Sequence, residues 1–230
     1  MTPTGQSAGG AALVVAIDGP SGSGKSSVAR RVAARLGYVY LDTGAMYRAV
    51  GVLAREAGVP LDDETAVVAV AAGARLSFDD DGRLHAGRCD LGEAIRTLDA
   101  GELASRVSAL PGVRRLLVEE QRALARERGV VMEGRDIGTN VFPDAALKVY
   151  LTASPEVRAE RRLRELTAGG AHVTLVEVLD SVVERDRRDS DRAVAPLRQA
   201  EDAVVVDTTN MGLEEVVTTV EDMARRRLGL

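Results

Sequence analysis

The sequence predicts an α/β fold: a doubly wound, mostly parallel sheet with helices on both faces. Three observations predict it. Short apolar runs of strand length alternate with segments of helical periodicity. A glycine-rich turn joins the first apolar run to the first helical segment. The alternation is interrupted once, over residues 60–98, where a hairpin signal implies an inserted subdomain. With 230 residues the chain fits one large domain with insertions, and 45% apolar residues suffice for a continuous core.

Residues 1–11 are small and polar and are expected to form a disordered tail. Residues 13–17 form an apolar run and are predicted as a buried parallel strand. Val28, Val32, Ala33 and Leu36 then share one helical face, and Gly37 stops that helix. Residues 38–41 are predicted as a second strand and 45–57 as a helix. Asp62 and Asp63 are placed to cap a short helix through Val70. Residues 75–78 and 83–85 flank Asp81-Gly82, a turn pair suited to a hairpin. The alternation resumes with a helix over 113–126, strands at 130–132 and 146–151, and a helix opened by Ser154-Pro155. A break at 167–171 separates two arginine-rich helical segments. A last strand at 203–206 and a last helix over 213–227 close the pattern.

Composition excludes several classes of function. The net charge of −5 repels polyanions and anionic membranes, so any bound anion needs a local cluster of positive charge. Aromatic residues are 3% of the chain, too few for base-stacking platforms, which argues against a nucleic-acid binder. A lone cysteine, Cys89, rules out an intrachain disulfide and reads as structural. His85 and His172 are isolated and suggest no metal cluster. The first apolar run is too short to span a membrane and has no basic residues before it, so a cytoplasmic location is expected.

The sharpest signal is Gly19-Pro20-Ser21-Gly22-Ser23-Gly24-Lys25-Ser26, followed by Ser27. It matches the phosphate-binding P-loop pattern in full, between a strand and a helix as that motif requires. Its glycines let successive N–H groups turn inward on phosphate oxygens, and the following helix adds its positive end. Lys25 supplies a charge to the outer phosphates, and the Ser26 hydroxyl is the expected magnesium ligand. Val130-Val131-Met132-Glu133 is an apolar strand ending in a carboxylate, which makes Glu133 the candidate second acidic group at the metal.

Three further clusters set arginine beside carboxylates: residues 42–48, 133–136 and 184–192. Guanidinium forks bind phosphate bidentately, and neighbouring acids orient them. The third cluster is charged on every face. It reads either as a solvated helix with ion pairs or as a mobile flap that closes over phosphates.

These motifs together resemble bacterial cytidylate kinases over nearly the whole chain. The most specific strings are residues 17–25, Leu41-Asp42-Thr43-Gly44-Ala45-Met46-Tyr47-Arg48, Gly134-Arg135-Asp136-Ile137-Gly138-Thr139 and Arg192-Ala193-Val194-Ala195-Pro196-Leu197. The resemblance implies a P-loop core (residues 12–45, 101–157 and 193–230), a CMP-binding insertion over 46–100 and a lid over 158–192. It implies that Arg48 and Arg135 bind the CMP phosphate, that Asp136 reads cytosine with Ser105 and Arg114, and that Asp189 and Arg192 contact the ribose and its surroundings. It places Thr43 among the substrate-binding residues, where the family often has serine, with the hydroxyl kept. The lid break lacks a lysine. ATP with Mg2+ is the implied donor, CMP or dCMP the acceptor, and a monomer the implied state.

The acceptor chemistry agrees with that resemblance. A nucleoside monophosphate is mostly a dianion at neutral pH, so no general base is needed. What is needed is charge neutralisation and alignment, expected from Lys25, Arg135, Arg185 and Arg188. The rival reading is a P-loop kinase of a small hydroxyl substrate, with Asp42 as base. A guanine-reading switch protein is disfavoured because no Asn-Lys-x-Asp string occurs.

Overall fold

A computed structural model describes residues 13–79, 82–126 and 128–230. The expected tail at 1–11 and Asp81 of the expected turn lie outside the described residues. The chain runs through β1 (Val14–Asp18), α1 (Lys25–Leu36), β2 (Val39–Asp42) and α2 (Thr43–Glu56). It continues with α3 (Glu64–Gly73), the short strands β3 (Leu76–Phe78), β4 (Leu84–Ala86) and β5 (Cys89–Asp90), then α4 (Leu98–Val107) and α5 (Pro111–Leu124). The last part comprises β6 (Val130–Gly134), a π-helical turn at Ile137–Val141, β7 (Leu147–Thr152), α6 (Pro155–Ala168), α7 (Leu175–Asp191), β8 (Val204–Asp207) and α8 (Leu213–Leu228).

The main sheet has five strands in the order β2-β6-β1-β7-β8, every pair parallel. The strand β1, Val-Val-Ala-Ile-Asp, is buried at every position, which is why it is nearly continuous in apolar residues. Helix α1 buries Val28, Ala29, Val32 and Ala33 against the sheet and ends on Gly37 in a left-handed conformation. The register pairs Asp18 with Gly134 and Asp42 with Glu133, so the carboxyl ends of β1, β2 and β6 finish side by side. In open α/β sheets that edge is where ligands bind.

The second sheet, β3-β4-β5, is antiparallel, and its first two strands are the expected hairpin. The short strand β5 and the helix α4 had no counterpart in the periodicity. Gly101 interrupts the α4 pattern, while Thr97 supplies its cap by accepting from the Ala100 amide at 3.0 Å. Cys89 is exposed on β5. Apolar residues from Ala45 to Leu117 form one cluster joining α2 through α5. A smaller cluster holds α7 to α6 through Val178, Val182, Ala159 and Leu166. The 184–192 segment is therefore not charged on every side in a solvated setting. It ends an amphipathic helix, and Asp189 on its inner face is 4% exposed.

Among the described residues, no helix is long and apolar enough to cross a membrane.

Helices α2 and α4 meet at Gly51, where an added Cβ lies 2.6 Å from the Leu103 Cβ and 3.0 Å from its carbonyl carbon. Gly51→Ala gains about 1 kcal/mol of helix propensity. It loses about 1–3 kcal/mol to overpacking, because the contact is with backbone as well as side chain. The expected outcome is net destabilisation by about 1 kcal/mol, seen as a lower urea midpoint.

Candidate active site

The loop between β1 and α1 is shaped by two close approaches. Gly19 has φ +147°, and a Cβ there falls 2.0 Å from the Leu151 carbonyl oxygen, so only glycine lets the loop cross β7. Gly22 has φ +75° and would set a Cβ 2.8 Å from the Arg158 carbonyl oxygen. Arg158 is buried and clamps the loop, donating to the Ser21 carbonyl at 3.0 Å and the Ala153 carbonyl at 2.9 Å. It also pairs with Asp186 of α7 at 2.6 Å. Nothing in the sequence around Arg158 signalled this role.

Lys25 folds its ammonium back over the loop, donating to the Pro20 carbonyl at 2.5 Å and to the Ser23 hydroxyl at 3.4 Å. Burial, and then the positive charges of Arg135 and Arg185, lower its pKa to about 7 against the opposing pull of Glu133. Ser26 and Ser27 stand exposed at the start of α1.

Glu133, 4% exposed at the end of β6, accepts from the Ser26 hydroxyl at 3.0 Å and from the Tyr40 phenol. Burial, and then the charge of Asp42, push its carboxyl above the usual range. A hydroxyl and a carboxylate side by side at the mouth of a P-loop suit a hard divalent cation such as Mg2+. Thr43 is buried beside Glu133. Its hydroxyl donates to the Glu133 carbonyl at 2.8 Å and ties α2 to β6.

Asp18 is a second buried carboxylate, one the motif reading passed over. It accepts from the Ile137 amide at 2.9 Å and the Gly138 amide at 2.7 Å, so it anchors the turn that follows Arg135 and Asp136. Burial raises its pKa to about 6 despite those two bonds.

The arginines converge on this edge. Arg48 donates to Asp42 at 2.7 Å, and Arg135 donates to Asp189 of α7 at 2.9 Å. Arg114 pairs with Asp136, which Arg192 also reaches at 3.4 Å. Arg185 is flanked by Asp189 at 3.9 Å, and Arg188 approaches Glu102 of α4 at 3.9 Å. Arg185 falls to about 10, first through burial and then through the charge of Arg135. Among the described residues, Arg48 Nε, Arg114 Nε and Nη1, Arg185 Nε and Arg188 Nε are buried with no hydrogen-bond acceptor. Such nitrogens are costly to leave unpaired and fit an anionic ligand. Ser105 is the exception among the candidates. It is half-buried on α4, and no hydrogen bond joins its hydroxyl to Arg114 or Asp136.

Asp42 is poorly suited to act as a base. Burial pushes its carboxyl up, but Arg48 and the Ala45 amide outweigh that and hold it below the usual range. Its oxygens are engaged at 2.9 Å by that amide and at 2.7 Å by Arg48.

At pH 8 a lysine with pKa about 7 is mostly neutral, and a bound triphosphate restores its charge. Binding of a non-hydrolysable ATP analogue is therefore expected to take up about 0.9 proton at pH 8. Calorimetry in buffers of different ionisation heat reads the uptake directly. Lys25→Met is expected to abolish it, and absence of uptake in the unaltered protein rejects the depressed lysine.

Comparison with known proteins shows the family. The cytidylate kinase family profile matches residues 15–226. The cytidylate kinase of Geobacter sp. (strain M21) is 48% identical over 219 residues, covering 94% of each chain. That of Methylococcus capsulatus (strain ATCC 33009 / NCIMB 11132 / Bath) is 48% identical over 206 residues, covering 89% of this chain and 93% of the relative. Among solved structures, a gluconokinase from Sinorhizobium meliloti 1021 superposes with a TM-score of 0.50 at 17% identity over 95% of both chains, a likeness of fold alone. The phosphate loop, the convergent arginines and the extent of these matches lead to one conclusion: the chain belongs to the cytidylate kinase family.

Proposed function

We propose that this protein transfers the γ-phosphoryl group of ATP to CMP or dCMP, giving ADP and CDP or dCDP. The observation that carries the reading is the set of buried guanidinium nitrogens without acceptors on Arg48, Arg114, Arg185 and Arg188, beside the Lys25 loop. Two phosphorylated substrates repel each other, and a kinase of this kind must neutralise both while aligning them.

The donor triphosphate lies along residues 19–27, cradled by backbone amides, with Lys25 released from the Pro20 carbonyl to meet its outer oxygens. Ser26 and Glu133 are the residues that hold Mg2+, which when bound neutralises charge on the outer phosphates. Arg48 and Arg135 grip the CMP phosphate, and Arg185 and Arg188 reach in from α7 toward the group in transfer. Asp136, aimed by Arg114 and Arg192, accepts from the cytosine amino group. Uracil presents an acceptor there, which a buried carboxylate rejects. Asp189 holds Arg135 and joins Arg192 near the ribose. Ser105 is the α4 residue offered to the base in this reading.

In this reading residues 46–100 carry CMP and residues 158–192 form the lid. The lid excludes water, which would otherwise accept the phosphoryl group. Its contacts span both sides: Arg158 grips the P-loop, and Arg188 faces α4. The hydroxyl-acceptor alternative needs Asp42 as base. The carboxyl of Asp42, engaged by Arg48 and held low in pKa, speaks against it.

A coupled ADP-release assay with ATP and each nucleoside monophosphate in turn tests the reading. Turnover with CMP and dCMP, and none with sugars, is the expected result. Turnover with a sugar and none with CMP rejects it. Arg135→Ala is expected to lower kcat by about 10²–10⁴ while the circular dichroism spectrum stays unchanged. Near-normal turnover by that folded variant removes Arg135 from the phosphate grip.

A further inference from the structure

We infer that Tyr40 is a positioning residue for Glu133, seated from behind by the hairpin of the insertion. The inference rests on the proposed role of Glu133 at the divalent cation. Tyr40 and Asp42 share one face of β2, and the register sets Asp42 opposite Glu133. The Tyr40 ring therefore lies diagonal to Glu133, close enough for its phenol to donate to Oε1 while Ser26 donates to Oε2. The two donors address different oxygens, so together they define both the direction and the rotation of the carboxylate. Without the phenol, Oε1 loses that donor in a site where Glu133 is 4% exposed and Asp42 repels it.

The ring itself has two close neighbours. The Arg30 guanidinium stacks over it at 4.6 Å from the centroid. From the hairpin, Gly82 comes so near that a Cβ there lies 3.1 Å from Tyr40 Cδ1 and 3.8 Å from Arg30 Nη1, at a φ of +71°. Gly82 follows the hairpin turn and donates its amide to the Asp79 carbonyl at 3.0 Å. Behind the ring is a cavity of about 220 Å³ between α1, β2 and the hairpin, lined by Arg30, Tyr38, Phe78 and Gly82. The hairpin thus borders the ring together with α1 and β2. Groups that orient a metal-binding carboxylate govern cation affinity without touching the substrates.

The test is the binding of Mn2+, followed by electron paramagnetic resonance in the presence of a non-hydrolysable ATP analogue, so that no turnover is required. Tyr40→Phe is expected to weaken Mn2+ binding about tenfold, with the KM for CMP within about twofold of the unaltered protein. A Tyr40 that only fills space lowers the melting temperature and leaves Mn2+ binding unchanged, which overturns the inference. Gly82→Ala crowds the same ring from the hairpin and serves where Tyr40→Phe does not fold. Weakened Mn2+ binding supports the inference and unchanged binding overturns it. Glu133→Gln separates the two levels of argument. If it leaves Mn2+ binding intact, the metal role of Glu133 falls. If it weakens binding while Tyr40→Phe does not, the positioning role alone falls.

Discussion

The structure depends on one electrostatic constraint: more positive charge is buried at the carboxyl edge of the sheet than its carboxylates neutralise. Lys25 is pressed down to about 7 and Arg185 to about 10, in each case by burial first and by Arg135 next. A site that depresses its own cations is unfavourable by itself and favourable around a polyanion. The fold carries the cost through carboxylates spread among the arginines. Asp42 takes Arg48, Asp189 takes Arg135, and Asp136 takes Arg114 and Arg192. Each acid is shared or single-sided, so the guanidinium forks keep nitrogens free for phosphate.

That arrangement explains why the charged end of α7 is inward-facing. Its apolar half, Val178 and Val182, packs on α6 and carries little area. Beyond it, the inner face continues as Asp189, which accepts from Arg135 of the core, and Arg185, which lies 3.9 Å from Asp189 of its own helix. The attachment of this helix is mostly electrostatic there. Arg187, on the outer face, pairs only with Glu184 of its own helix, as a solvated residue does.

Much of this was legible in the sequence, and the limits have a physical origin. The P-loop pattern specifies a backbone path, because Gly19 and Gly22 are needed where that path runs against Leu151 and Arg158. The strand-helix alternation was legible for the same reason, since periodicity is a local property. The partners were not. Glu133 meets Ser26 across 107 positions and Tyr40 across 93, and Arg135 meets Asp189 across 54. No local pattern encodes such pairings. The resemblance supplied Arg135 and Asp136 as candidates, yet it passed over Asp18, Tyr40 and Arg158, whose work is to aim or clamp other groups. Thr43 likewise has a structural bond no local pattern encodes, its hydroxyl donating to the Glu133 carbonyl.

The segment from Glu133 to Asp136 concentrates the consequence of this geometry. Glu133 is the last side chain of β6 to follow strand alternation, and it turns toward Ser26 and Tyr40. Gly134 follows with no room for a side chain, since a Cβ there meets Ile137 Cδ1 at 2.7 Å and the Thr43 hydroxyl at 2.8 Å. The chain can then leave the sheet within one residue. Arg135 extends to the α7 side and Asp136 to the α5 side, where Arg114 holds it. Asp18 fixes this exit by binding the two amides that open the π-helical turn. Glu133, Arg135 and Asp136 are thus aimed in three directions, toward Ser26, Asp189 and Arg114, by a single backbone exit. A shift of that exit moves all three together, which makes the carboxylate of Asp18 as consequential for the site as any residue that faces a ligand.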